Sequence, residues 1–201
     1  PLRALVSRDR YPLQPVAVML APQLAQAGGV AHAALWEADG VALFIRLLRM
    51  PGWTLASLQA LGHWAASSKQ EARLHKALCS SSRVQILAST IASSSQASEL
   101  FKPLKSLLGR APRLAAALAA QSALIARLAV TIRDELRSIS RTEQLRTLVQ
   151  VADSLLRAEA QGGGVAAAGL GSALREAARV TAERNLGMLH DLLSALVAML
   201  P

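Results

Sequence analysis

A chain of 201 residues is long enough for one domain with a substantial core, or for about four helical repeats of about 40 to 47 residues each. Hydrophobic residues make up 52% and aromatics only 3%, so Leu, Ala, Val and Ile must build the core, an inventory that predicts an all-α fold and argues against strands. The 22 Lys and Arg against 13 Asp and Glu leave a formal charge of +9, and the single cysteine, Cys79, excludes an internal disulfide framework and points to a reducing, intracellular setting.

In chain order, the stretch to Ala27 holds a short helix, a Pro-rich connection and a second apolar helix. Pro12, Pro15 and Pro22 crowd the apolar run Val16 to Ala27, which argues against a signal peptide. Gly28-Gly29 and Asp39-Gly40 punctuate the next helix. Gly40 to Ala66 is the clearest unit: an apolar helix from Val41 to Met50, a Pro51-Gly52 break, and a second helix from Trp53. Polar groups fall on that second helix at Gln59, His63 and Gln70, one thin stripe, while Trp53, Leu55, Leu58, Leu61 and Trp64 share a wide apolar face. A helix so sparsely polar is expected to be packed on several sides, with Trp53 and Trp64 pinning the core.

Ser68 with Glu71 reads as a capping box opening a helix over Lys69 to Leu78, and a further helix spans Arg83 to Ala92. The next carries Leu100, Phe101, Leu104, Leu107 and Leu108, with Pro103 placed in its first turn. Arg113 to Ala120 and Ser122 to Arg137 form a short and long pair, and Ser140 with Glu143 opens a helix that carries Leu145, Leu148, Val149, Ala152, Leu155 and Leu156 on one side and ends in the run Leu155 to Gln161. After Gly162 to Gly164, two more helices are expected at Leu170 to Val180 and Ala182 to Leu200. No apolar run of about 18 residues is free of charge, Pro and Gly clusters, so no membrane span is expected.

Similar apolar openings recur at Val41, Val84, Ala123 and Leu170. Their spacing predicts one domain over 1–201, an armadillo/HEAT-like right-handed solenoid of about four repeats at 1–66, 67–110, 111–160 and 165–201. A generic helical bundle is the competing architecture.

Little of the chemistry-bearing inventory converges. His75 and Cys79 are one turn apart, but His32, His63 and His190 are scattered, and a metal site needs three or four converging ligands. Gly162 to Ala167 formally fits G-x-G-x-x-A, yet it follows a helix rather than a strand and reads as a linker. No catalytic motif, cofactor site or metal site is expected.

Charge is the stronger lead. Lys102 to Arg146 contains nine basic residues and three acids. Lys102, Lys105, Arg110, Arg141, Arg146 and Arg157 fall on or beside two helices expected to be the third of their repeats, and the first five form a candidate protein-binding face. A basic helical-repeat domain binding nucleic acid is the alternative, although no interleaved aromatics accompany the arginines. Leu186, Leu189, Leu193, Leu196 and Leu200 make a short heptad seam that could either close the stack or form a homodimer.

The segments LLRMPGWTLASLQALGHWAA (47–66) and SELFKPLKSLLGRAPRLAAALAAQSALIARLAVTI (98–132) carry the order "LL, Trp, ALxAL, Trp" and then "PLxxLL, Pro, LAxxLA, Leu, IxxL". This order resembles the C-terminal armadillo or HEAT-like region of the septation-initiation and mitotic-exit network kinases of fungi, to which the tail of plant MAP kinase kinase kinase epsilon is related. The resemblance implies a kinase domain upstream of this chain. It further implies a non-catalytic regulatory role, binding to a small Ras-like GTPase or a spindle-pole scaffold, and a cytoplasmic or spindle pole body (centrosomal) location. It assigns no binding residue.

Overall fold

The computed structural model describes residues 39–50, 52–66, 71–137, 142–159 and 165–183, with isolated positions between 20 and 37 and residues 195–197. Every regular element among the described residues is an α-helix. They are α1 Gly40–Leu47, α2 Thr54–Ala66, α3 Glu71–Leu78, α4 Ser81–Ser93, α5 Ala97–Leu108, α6 Pro112–Ala119, α7 Ser122–Leu136, α8 Thr142–Glu159 and α9 Val165–Glu183.

Local chemistry explains the breaks. Asp39 takes a left-handed conformation ahead of α1, at φ 55°, and Gly52 supplies the positive φ of 81° that turns the chain towards α2. That turn is closed by Thr54, whose hydroxyl donates to the Leu48 carbonyl at 2.9 Å. Pro112 opens α6 at a position where its missing N–H is harmless. Arg83 donates to the Ala77 carbonyl at 3.0 Å and ties α4 back to α3. Arg127 on α7 reaches the Ser94 carbonyl between α4 and α5, at 2.9 Å.

The long helices stack in two rows. In one row α2 packs on α5 and α5 on α8; in the other α1 meets α4, α4 meets α7 and α7 meets α9. The short helices α3 and α6 also touch. Through α8 the general rule is that a helix packs on the third one along the chain.

The buried residues keep the same register. Along the second row Val41, Val84, Ile125 and Leu170 are all buried, 43, 41 and 45 residues apart, as are Phe44, Leu87, Leu128 and Ala173 at the same spacings. Along the first row the buried triplets are Leu58, Phe101 and Leu145; Leu61, Leu104 and Leu148; and Trp64, Leu107 and Val151. The third apolar opening therefore aligns at Ile125, two residues beyond Ala123, because burial and not residue type sets the equivalence.

Trp53 and Trp64 are fully buried, as expected, and Phe44 meets Trp64 edge-on with ring centroids 5.3 Å apart. Such a pair adds about 1 kcal/mol beyond its buried area. On α2, His63 is the one exposed side chain among those described. The thin polar stripe did mean burial on several sides.

Three boundaries differ from the sequence expectation. Helix α1 ends at Leu47 rather than Met50, because the turn towards Pro51 starts early. Pro103 lies seven residues into α5, which begins at Ala97. It forgoes a bond to the Glu99 carbonyl, and Glu99 is exposed, so water can satisfy that group. Helix α9 begins at Val165 and runs unbroken through Thr181 to Glu183, five residues ahead of Leu170 and past the expected break. Gly169 is kept inside it because a β-carbon there would run into the Cγ2 methyl of Ile125 on α7. Ser68 and Ser140, the two expected capping residues, lie outside the described residues.

Gly169→Ala is therefore expected to lower stability by about 1–3 kcal/mol, read from a chemical denaturation midpoint. Ile125→Ala, which removes the opposing methyl, should cost less in the Gly169→Ala background than alone; strict additivity of the two would disprove the contact.

Candidate functional site

Lys102 and Lys105 both lie exposed on α5, and Arg110 is exposed in the turn that follows. Arg146 sits half-buried on α8, and Arg141 lies outside the described residues. Lys102 and Arg146 are 44 residues apart, the spacing of the buried triplets on α5 and α8, so they occupy equivalent places on two helices that pack together. The corresponding place on α2 is held by Gln59, 43 residues before Lys102.

Electrostatics separate these cations. Four ion pairs join described residues on α7, α8 and α9 and Arg137, just past the end of α7. Arg146 pairs with Glu143 at 3.3 Å, Arg157 with Asp153 at 2.9 Å, Arg137 with Asp134 at 3.8 Å, and Arg133 with Glu176 at 3.9 Å. These are surface pairs, each worth at most about 1 kcal/mol, but they neutralise the field of their arginines. Among the described residues Lys102, Lys105 and Arg110 have no such carboxylate. The sequence reading missed a fourth member, Arg113, exposed at the start of α6. Its signal was present: between Glu71 and Asp134 the chain has nine Lys and Arg but only one acid, Glu99.

The other candidates resolve differently. Burial pushes the Cys79 thiol above its ordinary range, with Arg113 pulling weakly the other way, so this is not an activated nucleophile. Burial likewise pushes His63 below the usual imidazole value. The His75 side chain lies outside the described residues. Among the described residues no group of three His, Cys, Asp or Glu is placed to hold a metal ion.

Gly162 to Gly164 also fall outside the described residues, but the helix start that follows them is described. Glu159, the last residue of α8, accepts from the backbone N–H groups of Ala166 at 2.7 Å and Ala167 at 2.9 Å. The amides that a pyrophosphate would need in a dinucleotide fold are thus held by the protein's own carboxylate.

Of the leucine seam, only Leu196 is described; it is partly buried against the core, next to the fully buried Ala195. Leu186, Leu189, Leu193 and Leu200 lie outside. Among the described residues no single helix is long and apolar enough to cross a membrane. Helices α6 and α7 pass such a test only as a pair bent by 89°. Their apolar faces are buried against α4, α8 and α9.

The chain is similar to the cytokinesis protein sepH of three fungi. It is 28% identical to that of Aspergillus terreus and to that of Aspergillus niger, and 27% identical to that of Emericella nidulans, over 183 residues in each case. The match covers 88% of this chain but only 13% of each relative, so the chain spans a small part of their length. No family profile matches the sequence, and no solved structure matches it.

Two outcomes follow from the local chemistry. Glu159→Ala should lower stability by about 1 kcal/mol, whereas Glu159→Asp should lose more than half of that effect only if reach matters; a neutral Glu159→Ala in denaturation would contradict the cap. Cys79 in the folded chain should react with iodoacetamide at pH 8 more slowly than in the urea-unfolded chain, and faster labelling of the folded form would contradict the raised thiol.

Proposed function

We propose that this chain is a non-catalytic, armadillo- or HEAT-like right-handed solenoid that recruits protein partners within a cell-division signalling kinase. The similarity to the cytokinesis protein sepH carries the reading, because it runs through 88% of the chain rather than through one motif. The helix-on-third-helix packing and its repeating buried register support the repeat architecture. Stacked helical repeats present extended surfaces and serve binding more often than chemistry.

The resemblance to septation-initiation and mitotic-exit kinases extends the proposal to a kinase domain elsewhere in the parent protein, and to a cytoplasmic or spindle-pole site of action. A small Ras-like GTPase or a spindle-pole scaffold is the proposed partner, met through the basic face. Nucleic acid is the less favoured partner: the aromatic side chains described, Phe44, Trp53, Trp64 and Phe101, are all fully buried, so none of them offers a platform on which bases could stack.

The test is an exchange in Emericella nidulans, with the segment of sepH that matches this chain replaced by the chain itself. Septation should persist, and it should be lost when the same segment is replaced by an unrelated helical domain of equal length. A chimaera that accumulates normally yet fails to septate would remove the cell-division reading.

A further inference from the structure

Among the described residues some arginines are neutralised by ion pairs, while Arg46, Arg49, Lys76, Lys102, Lys105, Arg110 and Arg113 are exposed without one, and the last four of these follow one another closely along the chain at one corner. Lys102 and Lys105 are one turn apart on α5, about 4.5 Å along its axis. Only three residues, Gly109 to Ala111, separate α5 from α6, so Arg110 and Arg113 follow at once around a tight turn. That turn is fixed by backbone bonds from Gly109 to Lys105 at 3.0 Å, from Arg110 to Leu107 at 3.3 Å and from Ala111 to Leu108 at 3.2 Å. All four side chains are exposed, while Leu104, Leu107, Leu108, Ala111 and Leu114 between them are buried. The anchoring is apolar and rigid, and the four charges project from it.

The structure offers these charges little internal return. Lys105 lies in the last turn of α5, where a cation is favoured by the helix dipole, but Arg113 stands at the start of α6, where a cation is disfavoured. No side chain caps α6. An arginine at that place costs the isolated chain some stability, and an external anion would reverse the sign of the cost.

We propose that the α5–α6 corner, formed by Lys102, Lys105, Arg110 and Arg113, docks an acidic, Asp- and Glu-rich segment of a partner protein. This rests on the reading of the chain as a protein-recruiting module, and it relocates the basic face away from Arg146, which Glu143 already neutralises. The distribution of charge selects the ligand. A single phosphate is best held by converging arginines, whereas these cations are spread along a helix and around a turn. An extended segment places same-side carboxylates about 6.8 Å apart and can meet several of them in succession. Nucleic acid would have the charge but would find no exposed aromatic among the described residues.

The experiment uses the full chain and a fluorescein-labelled peptide of alternating Glu and Ser, followed by fluorescence anisotropy at about 50 mM and about 200 mM salt. Binding should weaken with salt, and K102E/K105E/R110E/R113E should weaken it by about tenfold or more. The exposed but ion-paired control R137E/R157E should stay within about twofold. Circular dichroism monitors folding, and K102Q/K105Q/R110Q/R113Q replaces the reversal variant if that variant does not fold.

Equal losses from the two charge-reversal variants would overturn the proposal, as would no peptide binding by the wild type at low salt. So would tighter binding of an oligo-deoxythymidine, or of a phosphoserine peptide without carboxylates. The peptide measurement is independent of septation. A chimaera that fails while the corner still binds the peptide would remove the cell-division reading alone, and a septating chimaera whose corner ignores the peptide would remove this proposal alone.

Discussion

Everything in this structure depends on the need to hide helices that are apolar around most of their circumference. On α2 only His63 is exposed among the side chains described, so one neighbour cannot cover the helix. It takes α1 and α3 from its own surroundings in sequence and α5 from much further along. The same demand on α4, α5 and α7 produces packing on the third helix ahead, and that packing in turn requires buried residues to return every 41 to 45 positions. The recurrence in sequence is the imprint of this geometric requirement.

Charge is arranged within the frame so produced. Asp134, Glu143 and Asp153 sit one turn from arginines and Glu176 lies across a helix contact from one, and this local pairing removes much of the field of those arginines. Between Glu71 and Asp134 only Glu99 is available. Net charge therefore concentrates on the middle of the stack, although the composition alone describes only an average of the whole chain.

Most helix positions were legible because apolar spacing, Gly and Pro report directly on local structure. Trp53 and Trp64 are core residues as their spacing implied, and α6, α7 and α8 fall within a residue or two of expectation. What was not legible depends on contacts between helices. Pro103 reads as a helix opener unless one knows that Glu99 faces water and can spare its intrahelical bond. Gly169 reads as a break unless one sees Ile125 pressed against it. The Glu159 cap reaches amides seven and eight residues further along the chain, beyond any local capping pattern. Within the basic stretch, spacing could gather arginines, but only the positions of Glu143, Asp153 and Glu176 distinguish the neutralised ones from Arg110 and Arg113.

The same helix-by-helix packing also shapes how the protein would tolerate damage. A helix such as α9 leans on α7 and α8, while α2 leans on α1, α3 and α5. A disruption in α9 is therefore felt first by α7 and α8, and one in α2 by α1, α3 and α5. Damage to α1 or α9 thus falls first on the helices beside it, none of which is α5 or α6, and the corner keeps its charges in place.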